Sequence, residues 1–493
     1  MPGQLFHHLD GSNHIPFDEK EKFYERRRFE KQYFRGFAKL IVNSFDQSTM
    51  FFAFTGNELL TLYFIGHNCI IRQNCALDQY AALIMVFACS NIMINKVILA
   101  FTASLQTLMK EALRHHHYHK IHIYLKKTTI VLYIWTMLSL VILNLFGASL
   151  RWLKFSEDFS QTAQAYFALL CPYYFFHIFF SLMKSLYLSH GNMATPAFLN
   201  MAKLILNIVF NTFFFAKFGP NLIWSGIIKI FTEVVVTAFF YMYAHENRFF
   251  INAFTQNWTP QIFRNLGRFL QVLSVKGSFI YLDRVTYDVL TLITAFQHQP
   301  LNLIVQGSLA AYASCLLSIP FGVISTTSQH LKSAIHEGSE SKARNALLRG
   351  CILCFIIGIF YTILSLPIST YLPKLLWSHV EFEMALNHFI QCYPIILWGE
   401  IGFNLLNIIF RNLGQKKIIW KCLIASSFLI GIPTSIVIGF KPPYTLQGIW
   451  GGRMISLFCT YIILIKKLMT LDWWTSIRRV YFSRHHEEIL IEI

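Results

Sequence analysis

Apolar runs of about 20 residues recur along the chain, separated by short polar connections. A helix needs ~20 mostly apolar residues to cross the hydrocarbon core of a bilayer. On that criterion the pattern predicts twelve spans, at 38–65, 79–106, 124–147, 162–189, 196–218, 224–245, 272–296, 302–329, 346–371, 384–411, 418–440 and 446–468. The first is the least uniform, because Asn43, Asp46, Asn57 and Glu58 interrupt it. The class is therefore an all-α, polytopic membrane protein.

Landmarks repeat at a nearly constant offset. Pro172 and Pro394 stand 222 residues apart, Gly191 and Gly414 stand 223 apart, and Gly226 and Gly448 again 222. This predicts two six-helix lobes in one orientation, related by a pseudo-two-fold axis along the membrane normal. The divisions are a tail at 1–37, an N-lobe at 38–245, a linker at 246–271, a C-lobe at 272–470 and a tail at 471–493.

Composition narrows the reading. The 493 residues are 55% hydrophobic and 14% charged, against roughly 25% charged in soluble chains, which excludes a water-soluble fold, disorder and a secreted disulfide scaffold. The formal net charge is +17. It concentrates in both tails and in alternate connections, the pattern of cytoplasmic loops, so both termini are expected in the cytoplasm. No Lys/Arg tract is interleaved with aromatics as a nucleic-acid groove requires. The first ~35 residues lack the apolar core of a secretory signal. Asn257-Trp258-Thr259 falls in the cytoplasmic linker and is expected to carry no glycan.

Charges at bilayer depth cost ~2.5–3.5 kcal/mol each on insertion scales, so each calls for a reason. Lys229 and Glu233, four residues apart, read as a local ion pair. In the seventh span, Arg284 and Asp288 lie one turn apart and read as another pair, with Asp283 and Tyr287 as a hydrogen-bonded couple. Asp283 and Asp288 are about 140° apart around the helix and cannot share one small site. Asp283 is then the freer acid, suited to exchanging a proton. Glu400, Asn404, Asn407 and Arg411 form a polar stripe on the tenth span, as do Asn91, Asn95, Thr102 and Gln106 on the second and Asn200, Asn207 and Asn211 on the fifth. Together these stripes predict a hydrated cavity between the lobes. The histidines of Arg114-His115-His116-His117-Tyr118-His119 have irregular spacing and no acidic or Cys partners, so they read as a solvated loop and no metal site is expected. No Walker A sequence, nucleophile elbow or HExxH occurs, so neither an ATP-driven pump nor an enzyme is expected.

At these residues the sequence resembles the multidrug and toxic compound extrusion (MATE) family, in its eukaryotic form. The resemblance rests on Phe64-Ile65-Gly66-His67, on Asn91 with Leu105-Gln106-Thr107-Leu108, and on Leu282-Asp283-Arg284-Val285-Thr286-Tyr287-Asp288. It continues through Pro320-Phe321-Gly322 with Ser328, Glu400 before Arg411-Asn412-Leu413-Gly414, Gly431-Ile432-Pro433, Gly448-Ile449-Trp450-Gly451 and Asp472-Trp473. It implies a monomeric secondary antiporter in the plasma membrane or a vacuolar or other endomembrane, exporting organic cations or metabolites by alternating access. The coupling ion, H⁺ or Na⁺, takes the place of a cofactor. By position Asp283, Asp288 and Glu400 inherit the coupling role, and Tyr287, Asn91 and Gln106 inherit cavity positions that Asn404 and Asn407 extend. Arg284 and Gln106 depart from the family pattern, and Lys96 adds a cation in the second span, which leaves an anionic or zwitterionic cargo open. The rival readings are a lipid-linked oligosaccharide flippase and a non-transporting receptor or scaffold.

Overall fold

The computed structural model describes residues 17–72, 77–219, 222–246, 252, 259–441 and 445–473, with 475, 477, 478 and 480 beyond. The Asn257 sequon lies outside the described residues, as do residues 1–16 and most of the C-terminal tail. Twelve helical rods follow one another: α1 (Phe17–Arg72), α2 (Leu77–Arg114), α3 (Tyr118–Ser149), α4 (Glu157–Leu169 and Cys171–Ser189), α5 (Ala194–Phe218), α6 (Leu222–Glu246), α7 (Leu266–Ala295), α8 (Pro300–His336), α9 (Glu340–Leu376), α10 (Val380–Asn412), α11 (Lys416–Leu423 continued through Ile432–Gly439) and α12 (Thr445–Met469). Each contains or overlaps one predicted span. α1 starts well before residue 38, because 17–35 lacks Pro and Gly and is rich in strong helix formers.

Nine rods are individually long and apolar enough to cross a membrane, and the two halves of α4, bent by 44° just before Pro172, pass together as a tenth. α1 and α7 are the exceptions among the described residues. Asp46 and Glu58 interrupt the first, and Lys276, Asp283, Arg284 and Asp288 the second. Their polarity is tolerated because they sit at the lobe boundary. By contrast α9 turns Phe355, Ile356, Phe360 and Ile363 outward, and α3 does the same with Ile134, Met137, Leu138 and Val141. A lipid-facing surface needs no water-driven burial.

The six-helix repeat is visible in the packing. α1 packs on α8, and α7 on α2, so exchanging the lobes exchanges the two seams. Within each lobe the same neighbours recur: α2 with α4 and α8 with α10, α4 with α6 and α10 with α12, α5 with α6 and α11 with α12. Gly191 (φ 82°) after α4 and Gly414 (φ 78°) after α10 end equivalent helices in the same left-handed conformation.

The lobes meet at both ends of the boundary. Where α1 enters, Ser48 Oγ donates to the Ile319 carbonyl (3.1 Å) and Thr326 Oγ1 to the Asn43 carbonyl (3.4 Å). Gly322 permits this seam, since a Cβ there would collide with the Ser48 backbone. At the opposite end Tyr80 packs edge-on against Trp377 and Phe155 against Phe296. A chamber is left between them.

Candidate functional site

The chamber has a volume of about 720 Å³ and is lined from both lobes: Glu58 and Thr61 on α1, Phe87, Asn91, Asn95 and Lys96 on α2, Tyr174 on α4, Lys229 on α6, Arg284, Tyr287 and Asp288 on α7, and Ser314 on α8. α2 is locally π-helical over Asn91–Asn95, a widened turn that recurs at functional sites. Asn95 Nδ2 donates to Asn91 Oδ1 (2.8 Å), which turns the Asn91 Nδ2 outward. That one amide nitrogen donates to Asp288 Oδ1 (2.9 Å) and to Glu58 Oε1 (3.3 Å). Lys96 Nζ lies 3.7 Å from Asp288 Oδ2. An acid of the N-lobe and an acid of the C-lobe are thus joined through one asparagine.

The other two expected acids are placed differently. Glu400 is buried within the C-lobe, its Oε1 receiving Arg453 Nε (2.9 Å), Arg453 Nη2 (2.5 Å) and the Tyr287 hydroxyl (3.0 Å). Asp283 lies beside Ser427, Arg453 and Thr460 in the C-lobe, around a gap too tight to admit a water. Asp288 therefore lines the chamber, whereas Asp283 and Glu400 do not.

Three local pairings expected from helix spacing resolve otherwise. Arg284 pairs with Asp283 (Nε to Oδ2, 3.8 Å) rather than Asp288, and its guanidinium stacks on Phe321 at 3.7 Å. Tyr287 donates to Glu400, not to Asp283. Asp288 takes Lys96. Glu233 is bonded by Lys203 Nζ and by His177 Nδ1 (3.0 Å), while the Lys229 ammonium sits over the rings of Phe87 (4.7 Å) and Tyr173 (5.0 Å). For Tyr287, Asp288 and Glu233 a partner on a neighbouring helix reaches the group, whereas Arg284 turns to the adjacent Asp283 of its own helix.

Of the remaining polar positions, Asn91 and Tyr287 line the chamber, and Gln106, Asn404 and Asn407 are not among its lining residues. Asn404 bonds back to the Glu400 carbonyl (2.7 Å). Asn407 is buried with its Oδ1 unbonded. Asn207 donates to Asn57 Oδ1 (3.0 Å) in a second cavity of about 470 Å³, which shares Glu58, Thr61, Asn95 and Lys229 with the chamber. Glu58, Lys229 and Arg453 are the groups that spacing alone did not assign to a site. Glu58 had announced itself as a break in the first span.

Residues 58–213 match the family model described as MatE. Protein DETOXIFICATION 24 of Arabidopsis thaliana is 21% identical over 434 residues, covering 86% of this chain and 83% of that protein. Protein DETOXIFICATION 37 of the same plant is 21% identical over 439 residues, covering 85% and 82%. The crystal structure of the eukaryotic MATE transporter AtDTX14 superposes with a TM-score of 0.73 at 16% identity, over 91% of this chain and 99% of that one. In sequence over 58–213 and in fold over nine-tenths of its length, the chain is similar to MATE transporters. It has the twelve-helix fold of those transporters, and its long apolar helices make it an integral, multi-pass membrane protein. The Vibrio cholerae MATE transporter VcmN, with a TM-score of 0.68 at 13% identity over 90% of this chain and all of that one, shares the fold. The residues that match the family model include Glu58, Asn91 and Lys96, three of the groups that line the chamber.

Proposed function

We propose that this protein is a MATE transporter, a secondary antiporter that exports a small organic molecule in exchange for H⁺ or Na⁺ by alternating access, with both termini cytoplasmic, and that Asp288 and Glu58 are its coupling carboxylates. The Asn91 amide shared between an acid on α1 and an acid on α7 carries this reading. Charge-assisted hydrogen bonds are roughly twice as strong as neutral ones. Neutralising Asp288 weakens two contacts across the lobe boundary at once, the Asn91 bond and the Lys96 pair, so ion occupancy biases how the lobes sit. One pH unit supplies ~1.4 kcal/mol per proton and 100 mV ~2.3 kcal/mol per charge, enough together for a tenfold gradient of cargo. Glu400, met by Arg453 and Tyr287, ties α10 to α12 and α7, and Asp283 pairs with its neighbour Arg284, so both acids act structurally. One chain supplies both lobes and the whole chamber, which supports a monomer as the working unit.

The test is uptake of radiolabelled tetraethylammonium and of radiolabelled tryptophan into proteoliposomes under an imposed pH or Na⁺ gradient. Gradient-driven movement of either probe, lost in Asp288→Asn and in Glu58→Gln, is the expected result. The reading is overturned if neither probe responds to a gradient, or if both variants remain coupled.

A further inference from the structure

Five charged side chains line the inter-lobe chamber: Glu58, Lys96, Lys229, Arg284 and Asp288. Lys96 is paired with Asp288 and Arg284 with Asp283. Glu58 and Lys229 form no ion pair among the described residues. Glu58 receives only the shared Asn91 amide, at 3.3 Å. The Lys229 ammonium has the faces of Phe87 and Tyr173 and no carboxylate in contact. Both groups line the chamber and the adjoining N-lobe cavity, so both are presented to the same space without touching.

We propose that the chamber takes a zwitterionic cargo, an aromatic or apolar body bearing one amine and one acid group, with Glu58 receiving the amine and Lys229 the acid. Glu58 and Lys229 are near enough to act on each other's charge yet form no contact ion pair, and intramembrane ionisable groups are kept where they meet a partner or a pathway. A purely cationic cargo satisfies Glu58 but adds its charge beside an unpaired ammonium. A purely anionic cargo satisfies Lys229 and repels Glu58. A zwitterion answers both and brings no net charge into the chamber. The walls suit its body: Phe87, Tyr174 and Tyr287 supply ring faces, and Leu62 and Ile84 aliphatic surface. This inference rests on the exporter reading only in placing cargo in the chamber.

Equilibrium binding to the full-length protein in detergent, with no gradient, isolates it. The probes are tryptophan, tryptamine and indole-3-propionate, which share a ring and differ in carrying both charges, the amine alone or the acid alone. Tryptophan is expected to bind at least about tenfold more tightly than either analogue, the scale of one charge-assisted contact. Lys229→Met should lower tryptophan to the affinity of tryptamine, and Glu58→Gln to that of indole-3-propionate. Lys229→Arg and Glu58→Asp should retain the preference, which separates loss of charge from loss of fold. Tryptamine binding as tightly as tryptophan, a preference surviving in Lys229→Met, or no binding by any probe overturns the proposal. Zwitterion-selective binding without gradient-driven uptake would instead leave this inference standing and defeat the antiport reading.

Discussion

The inter-lobe chamber and the interior of the C-lobe hold the same kinds of groups in opposite conditions. Within the C-lobe, Glu400 is met at 2.5 to 3.0 Å by Arg453 and Tyr287 and is shut away from open space. In the chamber, Asp288 is met at 2.9 Å by a neutral amide and at 3.7 Å by Lys96, Glu58 at 3.3 Å by that same amide, and Lys229 by rings alone. Tight pairing makes a charge structural, because removing its proton partner or counter-ion strands the other member in a low-dielectric interior. Loose pairing leaves it available. The difference teaches that acidity in a membrane helix is not by itself a sign of coupling; what matters is whether a cation from another helix has already claimed the group.

The contrast breaks most visibly at Arg453. Arg453→Met should cost about 3–5 kcal/mol by stranding Glu400, read as a fall in thermal stability in detergent, and adding Glu400→Leu should recover most of that loss. Asp288→Asn is expected to act the other way round: a fall of about 100-fold in gradient-driven exchange, equivalent to ~2.7 kcal/mol, with melting temperature nearly unchanged. A melting shift as large as that of Arg453→Met would show the chamber acid to be structural after all. The seam is tested by Gly322→Val, whose side chain meets the Ser48 backbone and should destabilise by about 1–3 kcal/mol, whereas Gly267→Ala, with open space around it, should not. The finest distinction is between two asparagines. Asn91→Ala should slow exchange about tenfold, the scale of one charge-assisted contact, while Asn404→Ala, whose amide only bonds its own helix, should stay within about twofold.

Much of this architecture was legible along the chain, since spans are written as continuous apolar runs and the repeat as Pro and Gly landmarks. Asn91 and Asp288 were legible as well, each a polar group in an otherwise apolar helix. Pairing was not. Helical spacing offered Arg284 to Asp288 and Lys229 to Glu233, and in both cases a residue from another helix won: Lys96 from α2, and Lys203 and His177 from α5 and α4. Glu58 read as an interruption because its span was judged for hydropathy, and only the neighbouring α2 and α7 turn that interruption into a chamber-lining acid.

By itself the sequence determined that the chain crosses a membrane repeatedly, that it does so as two related sets of six helices, and which helices carry charge at depth, because hydrocarbon demands internally bonded helices whatever they pack against. Tertiary structure alone decided which charges are spent on one another and which face open space. Ion pairing falls off within a few ångströms, and those distances are set by how helices from distant parts of the chain come together.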